Sequence, residues 1–69
     1  MTWPTVPAKR VLAVLERIGW QVKRVPGPFR VLWREDWPDH VFAFREEDEI
    51  GPRTLARIAK HSGLRPSDF

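Results

Sequence analysis

The sequence contains no cysteine, which excludes disulfide bridges and thiolate metal sites. It has two histidines, His40 and His61, and their separation of 21 positions does not resemble the spacing of a metal-ligand cluster. No apolar run approaches the ~20 residues that a membrane-spanning helix needs, and the N-terminal segment lacks the hydrophobic stretch of a signal peptide. We therefore expect one cytoplasmic domain over residues 1–69, without a metal, a cofactor or a membrane association.

Aromatic side chains are abundant for so short a chain, with four tryptophans and four phenylalanines in 69 residues. A domain near 60 residues buries only about 60% of its unfolded surface, so its core is thin. Because each aromatic side chain can bury roughly 150–250 Å², these residues must supply much of the core.

Charge is strongly segregated along the chain. Residues 1–34 carry seven basic and one acidic residue, residues 35–52 one basic and seven acidic, and residues 53–69 four basic and one acidic. The three net charges are therefore +6, −6 and +3, against a total of +3. Two interpretations stay open: separate faces for a polyanion and for another partner, or a solvated surface with internal ion pairs.

Two segments have the periodicity of amphipathic helices. In residues 7–18, Val11, Leu15 and Ile18 recur at i, i+4 and i+7, and Gly19 follows where a left-handed C-terminal cap favours glycine. The second helix is predicted to begin at Gly51-Pro52 and to end at Ser62-Gly63. Its apolar side consists of Leu55, Ile58 and Ala59, and Leu64 is expected to fold back onto its last turn.

Three short runs between the helices predict strands, at residues 20–25, 29–34 and 40–44. Pro-Gly-Pro at 26–28 and the polar residues 35–39 predict the turns between them. In the third run, His40, Phe42 and Phe44 share one face, and residues 45–50 break the pattern as a charged connection. The order α-β-β-β-α predicts an α+β domain, in which a three-stranded antiparallel sheet carries both helices on one face.

Two stretches of the chain carry a family resemblance. The first helix ends in LERIGW (residues 15–20), and the second helix region reads IGPRTLARIAKHSGL (residues 50–64). Both resemble the HicA (YcfA-like) toxin family of mRNA interferases, whose fold resembles a double-stranded-RNA-binding domain. The resemblance covers essentially the whole chain. It implies RNA, in particular mRNA, as the ligand and a HicB-like antitoxin protein as the partner.

The departure from the family falls on its catalytic residue. In the family, the turn between the first two strands carries Gly-Ser-His, and that histidine acts in RNA cleavage. The matching stretch here is Gly27-Pro28-Phe29-Arg30, so Phe29 stands in the histidine's place and has no proton to transfer. His40 is a less favoured substitute, against the reading of an ordinary strand-end histidine. His61 is interpreted as a cation that stabilises the helix C-terminus. Whether the chain cleaves RNA stays open.

Seven basic residues are predicted to bind RNA. They are Lys23, Arg24, Arg30, Arg34, Arg53, Arg57 and Lys60. The last three recur at i, i+4 and i+7 on the second helix, and such a stripe suits the phosphate contacts by which double-stranded RNA is recognised. The alternative is that Arg57 and Lys60 serve helix solubility and the helix dipole.

A protein-interaction or regulatory module without RNA binding is the alternative function. The acidic stretch of residues 46–49 and Trp37, at the second turn, could contact a protein partner, although Trp37 could equally fold onto the core. The acidic stretch lacks the glycine-punctuated spacing of a calcium loop, which favours a solvated loop over a cation site. Nothing in the sequence places Ser62 or Ser67 beside a catalytic base.

Overall fold

The computed structural model describes residues 3–69; Met1 and Thr2, the start of the N-terminal segment considered above, lie outside the described residues. Its elements, in chain order, are β1 (Val6–Pro7), α1 (Ala8–Arg17), β2 (Gln21–Arg24), β3 (Arg30–Trp33), β4 (His40–Phe42), β5 (Glu49–Ile50), α2 (Pro52–Ser62) and a short 3-10 helix (Pro66–Asp68). The predicted α+β class and the order helix, three strands, helix are confirmed. Within residues 3–69, no helix is long and apolar enough to span a membrane.

Helix α1 ends as its cap sequence predicts. Gly19 has a left-handed φ of +115°, and its N–H donates to the Glu16 carbonyl at 3.2 Å, while the Trp20 N–H donates to the Leu15 carbonyl at 3.0 Å. These two bonds satisfy carbonyls that the helix itself leaves without a partner. The chain then turns directly into β2, which brings Trp20 to the core, where it is 1% exposed.

The N-terminus of α1 is capped by backbone from a distant loop, since no side chain caps it. The Ala8 N–H donates to the Asp48 carbonyl at 2.7 Å, and the Lys9 N–H donates to the Glu46 carbonyl at 3.2 Å. The acidic segment therefore lies at the positive end of the α1 dipole, where negative charge is favourable.

The prediction that residues 45–50 form only a charged connection is wrong for its last two residues. Glu49 and Ile50 form β5, which pairs antiparallel with β1 in the register Val6↔Ile50 and Pro7↔Glu49. Val6 and Ile50 are both buried in the core, and this burial stabilises so short a pairing. The partners lie more than 40 residues apart in the sequence, so local periodicity cannot reveal them.

The three-stranded sheet has the order β2-β3-β4, and both pairings are antiparallel. Leu32 of β3 lies opposite Val22 on one side and His40 on the other, and the register of β2 shifts between Val22 and Arg24. The third strand ends at Phe42, two residues earlier than predicted. Phe44 nevertheless packs against the core, and its ring meets that of Phe42 edge to face with the centroids 5.4 Å apart.

Both helices pack on one face of this sheet, and the core lies between the helices and the sheet. It consists of Val6, Ala8, Val11, Val14, Leu15, Trp20, Leu32, Phe42, Ile50, Leu55, Ile58 and Leu64. The opposite face of the sheet is open: Trp33 and Val41 are 41% and 57% exposed. Val31, on the same face by its register with Val41, is buried but does not belong to the core cluster.

Candidate nucleic-acid interface and histidine cleft

The C-terminal end of α2 is fixed by buried hydrogen bonds. The indole Nε1 of Trp20 donates to the Ser62 carbonyl at 3.0 Å. The Ser62 hydroxyl donates to the Ile58 carbonyl at 2.7 Å and accepts from the Leu64 N–H at 3.3 Å. Gly63 ends the helix with a left-handed φ of +78°, as predicted, and Leu64 is buried. Ser62 is fully buried and its hydroxyl is engaged in these bonds, so its role is structural.

Trp37 folds onto this end of the helix. Its ring meets Trp20 edge to face at 6.0 Å, and a methyl group added at Gly63 would lie 3.0 Å from it. The Arg34 guanidinium lies 5.5 Å above the Trp37 ring, a distance typical of a cation–π contact. Of the two interpretations of Trp37, the structure shows the one in which the side chain packs against the core.

His40, the first residue of β4, is half-buried beside Trp20, with their rings 6.0 Å apart. Burial lowers the pKa of His40 below its usual value, and the positive charge of His61 lowers it further. The imidazole of His40 is therefore predominantly neutral at pH 7, because both effects disfavour its charged form.

Two adjoining cavities, each of about 240 Å³, lie where β4 meets the C-terminal half of α2, and both are lined by His40 and His61. We call them together the histidine cleft. The first cavity is completed by Trp37, Pro38, Asp39 and Lys60. The second is completed by Val41, Ala43, Phe44, Thr54, Arg57 and Ile58. Thr54, Arg57 and His61 follow one another at helical spacing, so one side of α2 forms a wall of the cleft.

The charge around the histidine cleft is predominantly positive. Arg57, Lys60 and His61 are exposed on α2, and the one carboxylate among the lining residues, Asp39, is bound by the Lys23 ammonium at 2.9 Å. The cleft thus combines cations with imidazole groups, a combination that suits an anionic ligand.

The seven basic residues predicted to bind RNA fall into two groups. Those on α2, Arg53, Arg57 and Lys60, are exposed, and neither of the two ion pairs found within residues 3–69 involves them. Of the remaining four, three contact a carboxylate or an aromatic ring of the protein, and Arg24 is free of such contacts among the described residues. Lys23 binds Asp39, Arg30 lies 3.7 Å from Glu46 and is half-buried, Arg34 packs over Trp37, and Arg24 is exposed at the end of β2.

Phe29 lies at the opposite end of β3 from Leu32, the residue that pairs with His40. It directly precedes β3 in the turn after β2 and is 44% exposed. His40 pairs with Leu32, three residues further along that strand, which corresponds to about 10 Å at the rise of a β-strand. His40 therefore does not occupy the place at which the family resemblance puts its histidine. The interpretation of His61 from the sequence also missed its position beside His40, for which no local signal exists.

The acidic run of residues 46–49 is exposed. The Asp48 carboxylate accepts from the Arg45 N–H at 2.9 Å, and the Asp48 N–H donates to the Arg45 carbonyl at 3.0 Å, so Asp48 stabilises the turn that leads into β5. Among residues 3–69, no group of three or more histidine, aspartate or glutamate side chains could hold a metal ion.

Comparison with known proteins gives one family. The family model described as "HicA toxin of bacterial toxin-antitoxin" matches residues 8–64, which is more than half of the chain and includes α1, the three-stranded sheet and α2. No significant match is found among curated proteins or among solved structures. The matched segment contains both stretches that carried the resemblance, and the chain therefore belongs to the HicA toxin family of bacterial toxin–antitoxin systems.

Proposed function

We propose that this toxin-family protein binds RNA through the exposed basic stripe of α2. The observation that carries the proposal is that Arg53, Arg57 and Lys60 are all exposed on one helix and belong to neither of the ion pairs found in the described part of the chain. Cations without a protein counter-ion are available to phosphates, whose neutralisation dominates nucleic-acid affinity.

The basic residues of the sheet contribute less in this proposal. Lys23 and Arg30 each face a carboxylate, Asp39 and Glu46 respectively, and RNA must compete with these contacts. Surface ion pairs are weak, so the competition lowers the contribution of the two residues rather than abolishing it. Arg24 and Arg34 extend the surface along the sheet.

Phe29 takes the family's catalytic position in this function, and the turn that holds it cleaves no RNA. Phe29 is exposed at the β2–β3 turn, where an aromatic ring can stack on an unpaired base but cannot transfer a proton. The proposed ligand is cytoplasmic mRNA, and the family implies an antitoxin partner.

Equilibrium binding to a fluorescent RNA hairpin tests this proposal. Binding is measured from about 50 to about 300 mM salt, which spans the physiological ionic strength. The test variant carries glutamine at Arg53, Arg57 and Lys60. The matched control carries glutamine at three exposed basic residues of other segments, Lys9, Arg10 and Arg65.

We expect the slope of log K against log salt to fall by about 2 to 3 in the α2 variant, since each phosphate contact contributes roughly 0.7–0.9. The control should change it by less than one contact. Equal losses in the two variants would show that only net charge matters. Absence of salt-dependent binding by the natural protein would reject RNA binding altogether.

A second candidate function is protein binding through the open face of the sheet. Trp33 and Val41 are large apolar residues left exposed there, and aromatic side chains are enriched at protein interfaces. A HicB-like antitoxin is the proposed occupant, in line with the toxin–antitoxin pairing that the family implies. Trp33→Ser should weaken co-purification with the antitoxin about tenfold or more and leave RNA affinity unchanged. Unchanged co-purification would remove this face from consideration.

A further inference from the structure

The two histidines of the chain, the whole of its imidazole content, line the same pair of cavities. They come from different elements: His40 begins β4 and His61 lies in the last turn of α2. Since 21 residues separate them in the sequence, only the packing of α2 beside β4 brings them together. A helix-dipole role explains His61 by itself, but it does not explain a second, half-buried imidazole in the same cleft.

The charges around the two imidazoles favour an anion between them. Arg57 and Lys60 add two cations to the walls, while the carboxylate of Asp39 is bound to Lys23 at 2.9 Å. Protonation of either imidazole adds a like charge to this group, which costs free energy unless an anion enters. A phosphodiester carries one negative charge and several acceptor oxygens, and so complements these walls.

We propose that the histidine cleft is a phosphodiester-cleaving site, in which His40 and His61 act as an acid–base pair on RNA. The site is separate from the turn that holds Phe29, and its substrate is a single-stranded or looped RNA whose 2′-hydroxyl and phosphate can enter the cleft. This inference rests on the proposed function, because the chain must first bind RNA.

The reaction is an internal transesterification. One histidine accepts the proton of the 2′-hydroxyl, and the 2′-oxygen forms a new bond to phosphorus. The bond between phosphorus and the 5′-oxygen of the next nucleotide breaks, its electron pair stays on that oxygen, and the other histidine donates the proton that the oxygen needs. The products are a 2′,3′-cyclic phosphate and a 5′-hydroxyl. No co-reactant is consumed, and Arg57 and Lys60 stabilise the negative charge that develops on phosphorus.

The surroundings assign the two roles. His40 is half-buried against Trp20 and has a lowered pKa, so at pH 7 it is neutral and can accept a proton. The exposed His61 is then the proton donor. The Trp20–Ser62 hydrogen bond fixes the end of α2. It thereby holds His61, which directly precedes Ser62, in position opposite β4.

The inference is tested by incubating purified protein with a labelled RNA hairpin in EDTA and identifying the ends of any fragments. His40→Asn, His61→Asn and the double variant are purified in parallel, with Arg10→Gln as the matched purification control, since Arg10 is exposed on α1. RNA affinity is measured for every variant by fluorescence anisotropy, and its fold by near-UV circular dichroism. A substrate with one 2′-deoxy position serves as the chemical control.

We expect cleavage with 2′,3′-cyclic phosphate ends by the natural protein and by Arg10→Gln. Each histidine variant should lose at least about 100-fold in rate, as expected for a general acid or base, with RNA affinity and fold retained. The rate should be bell-shaped in pH, and the 2′-deoxy position should resist cleavage.

Binding without cleavage would overturn the inference and leave the proposed function intact. Cleavage that persists in the double variant would also overturn the inference, since another group or a contaminant would then cut the RNA. Absence of binding would overturn both. If His40→Asn does not fold, His61→Asn decides alone, because His61 is exposed and its loss leaves the core unchanged.

Discussion

Gly27 and Gly63 have the same left-handed backbone but different surroundings. Their φ values are +65° and +78°, and a methyl group at Gly27 would meet nothing within 4 Å, whereas one at Gly63 would lie 3.0 Å from the Trp37 ring. Alanine costs roughly 1–2 kcal/mol at either position because of the left-handed backbone. At Gly63 it must also displace Trp37, which packs against Trp20.

We therefore expect Gly63→Ala to lower the free energy of unfolding by about 1 kcal/mol or more beyond the effect of Gly27→Ala. Urea denaturation followed by tryptophan fluorescence measures both. In a domain of this size, each kcal/mol corresponds to roughly 4–8 °C in Tm. Equal losses in the two variants would mean that the Trp37 contact contributes nothing to stability.

The glycines at helix ends show what the sequence can predict at the scale of single residues. The sequence predicts left-handed caps at Gly19 and Gly63, and both residues have a positive φ, because cap chemistry depends only on the adjacent turn of helix. The position of Trp37 could not be decided in the same way. Its packing depends on Gly63, which is distant in sequence, and composition does not indicate that contact.

The two smallest strands of the fold each contribute one residue to its core. Ile50 belongs to a two-residue strand, yet it is 1% exposed and lies opposite the buried Val6. The loop before it supplies the carbonyls that cap α1. The β1–β5 pairing therefore joins the segment before α1 to the segment before α2. The packing of Ile50 stabilises both the core and the start of α1.

Ile50→Val should lower the free energy of unfolding by about 0.5–1.5 kcal/mol, the usual cost of removing one buried methylene. The total stability of a chain of this length is of order 3.5–10 kcal/mol, so the change is measurable by chemical denaturation. Glu49→Gln, at the exposed neighbour, is the control and should change stability by less than about 0.5 kcal/mol. A neutral Ile50→Val would indicate that β5 packs loosely.

The same pairing marks the limit of prediction for whole elements. Both helices and the three strands of the meander follow from local periodicity and turn residues, and their predicted bounds agree with the structure within about two residues. The pairing of β1 with β5 cannot be predicted from local periodicity, because residues 45–49 have the composition of a polar loop and only Ile50 is apolar. A single buried side chain has no periodicity to detect.

Across the whole molecule, the segregated charges partly neutralise one another. Both ion pairs found within residues 3–69, Lys23–Asp39 and Arg30–Glu46, join the basic N-terminal segment to the acidic middle segment. Of the two interpretations of the charge pattern, internal pairing thus holds for part of the sheet, while the basic residues of α2 belong to neither of these pairs. Sequence alone could not divide the charges in this way, since the division depends on strand register.

The histidine cleft is a property of the whole fold for the same reason. The sequence around each histidine gives no sign of the other, and each has an ordinary structural explanation in isolation. The register Leu32↔His40 fixes one imidazole, and the end of α2 at Gly63 fixes the other.

Protonation of His40 should destabilise the native state. The pKa of His40 is lowered in the native protein, first by burial and second by His61, while in the unfolded chain it is near 6.5. Between these two values the unfolded chain binds more protons, so stability rises with pH in this window. The contribution of neutral His40 to the free energy of unfolding is fully present above about pH 6.5. This contribution is lost as the pH falls through the lowered pKa of His40. Arg57, Lys60 and Asp39 also face the cleft.

Urea denaturation of the natural protein and of His40→Asn, compared at several pH values from about 7.5 to 5, isolates this effect, since the two proteins differ only in the side chain at position 40. We expect the natural protein to lose more stability on acidification than the variant does. His61→Asn should retain most of that excess loss, because burial is the larger cause of the shift and His61 the smaller. If His61→Asn removed the excess entirely, charge repulsion rather than burial would control the proton affinity of His40. The base in the proposed acid–base pair would then be neutral only because its partner is charged.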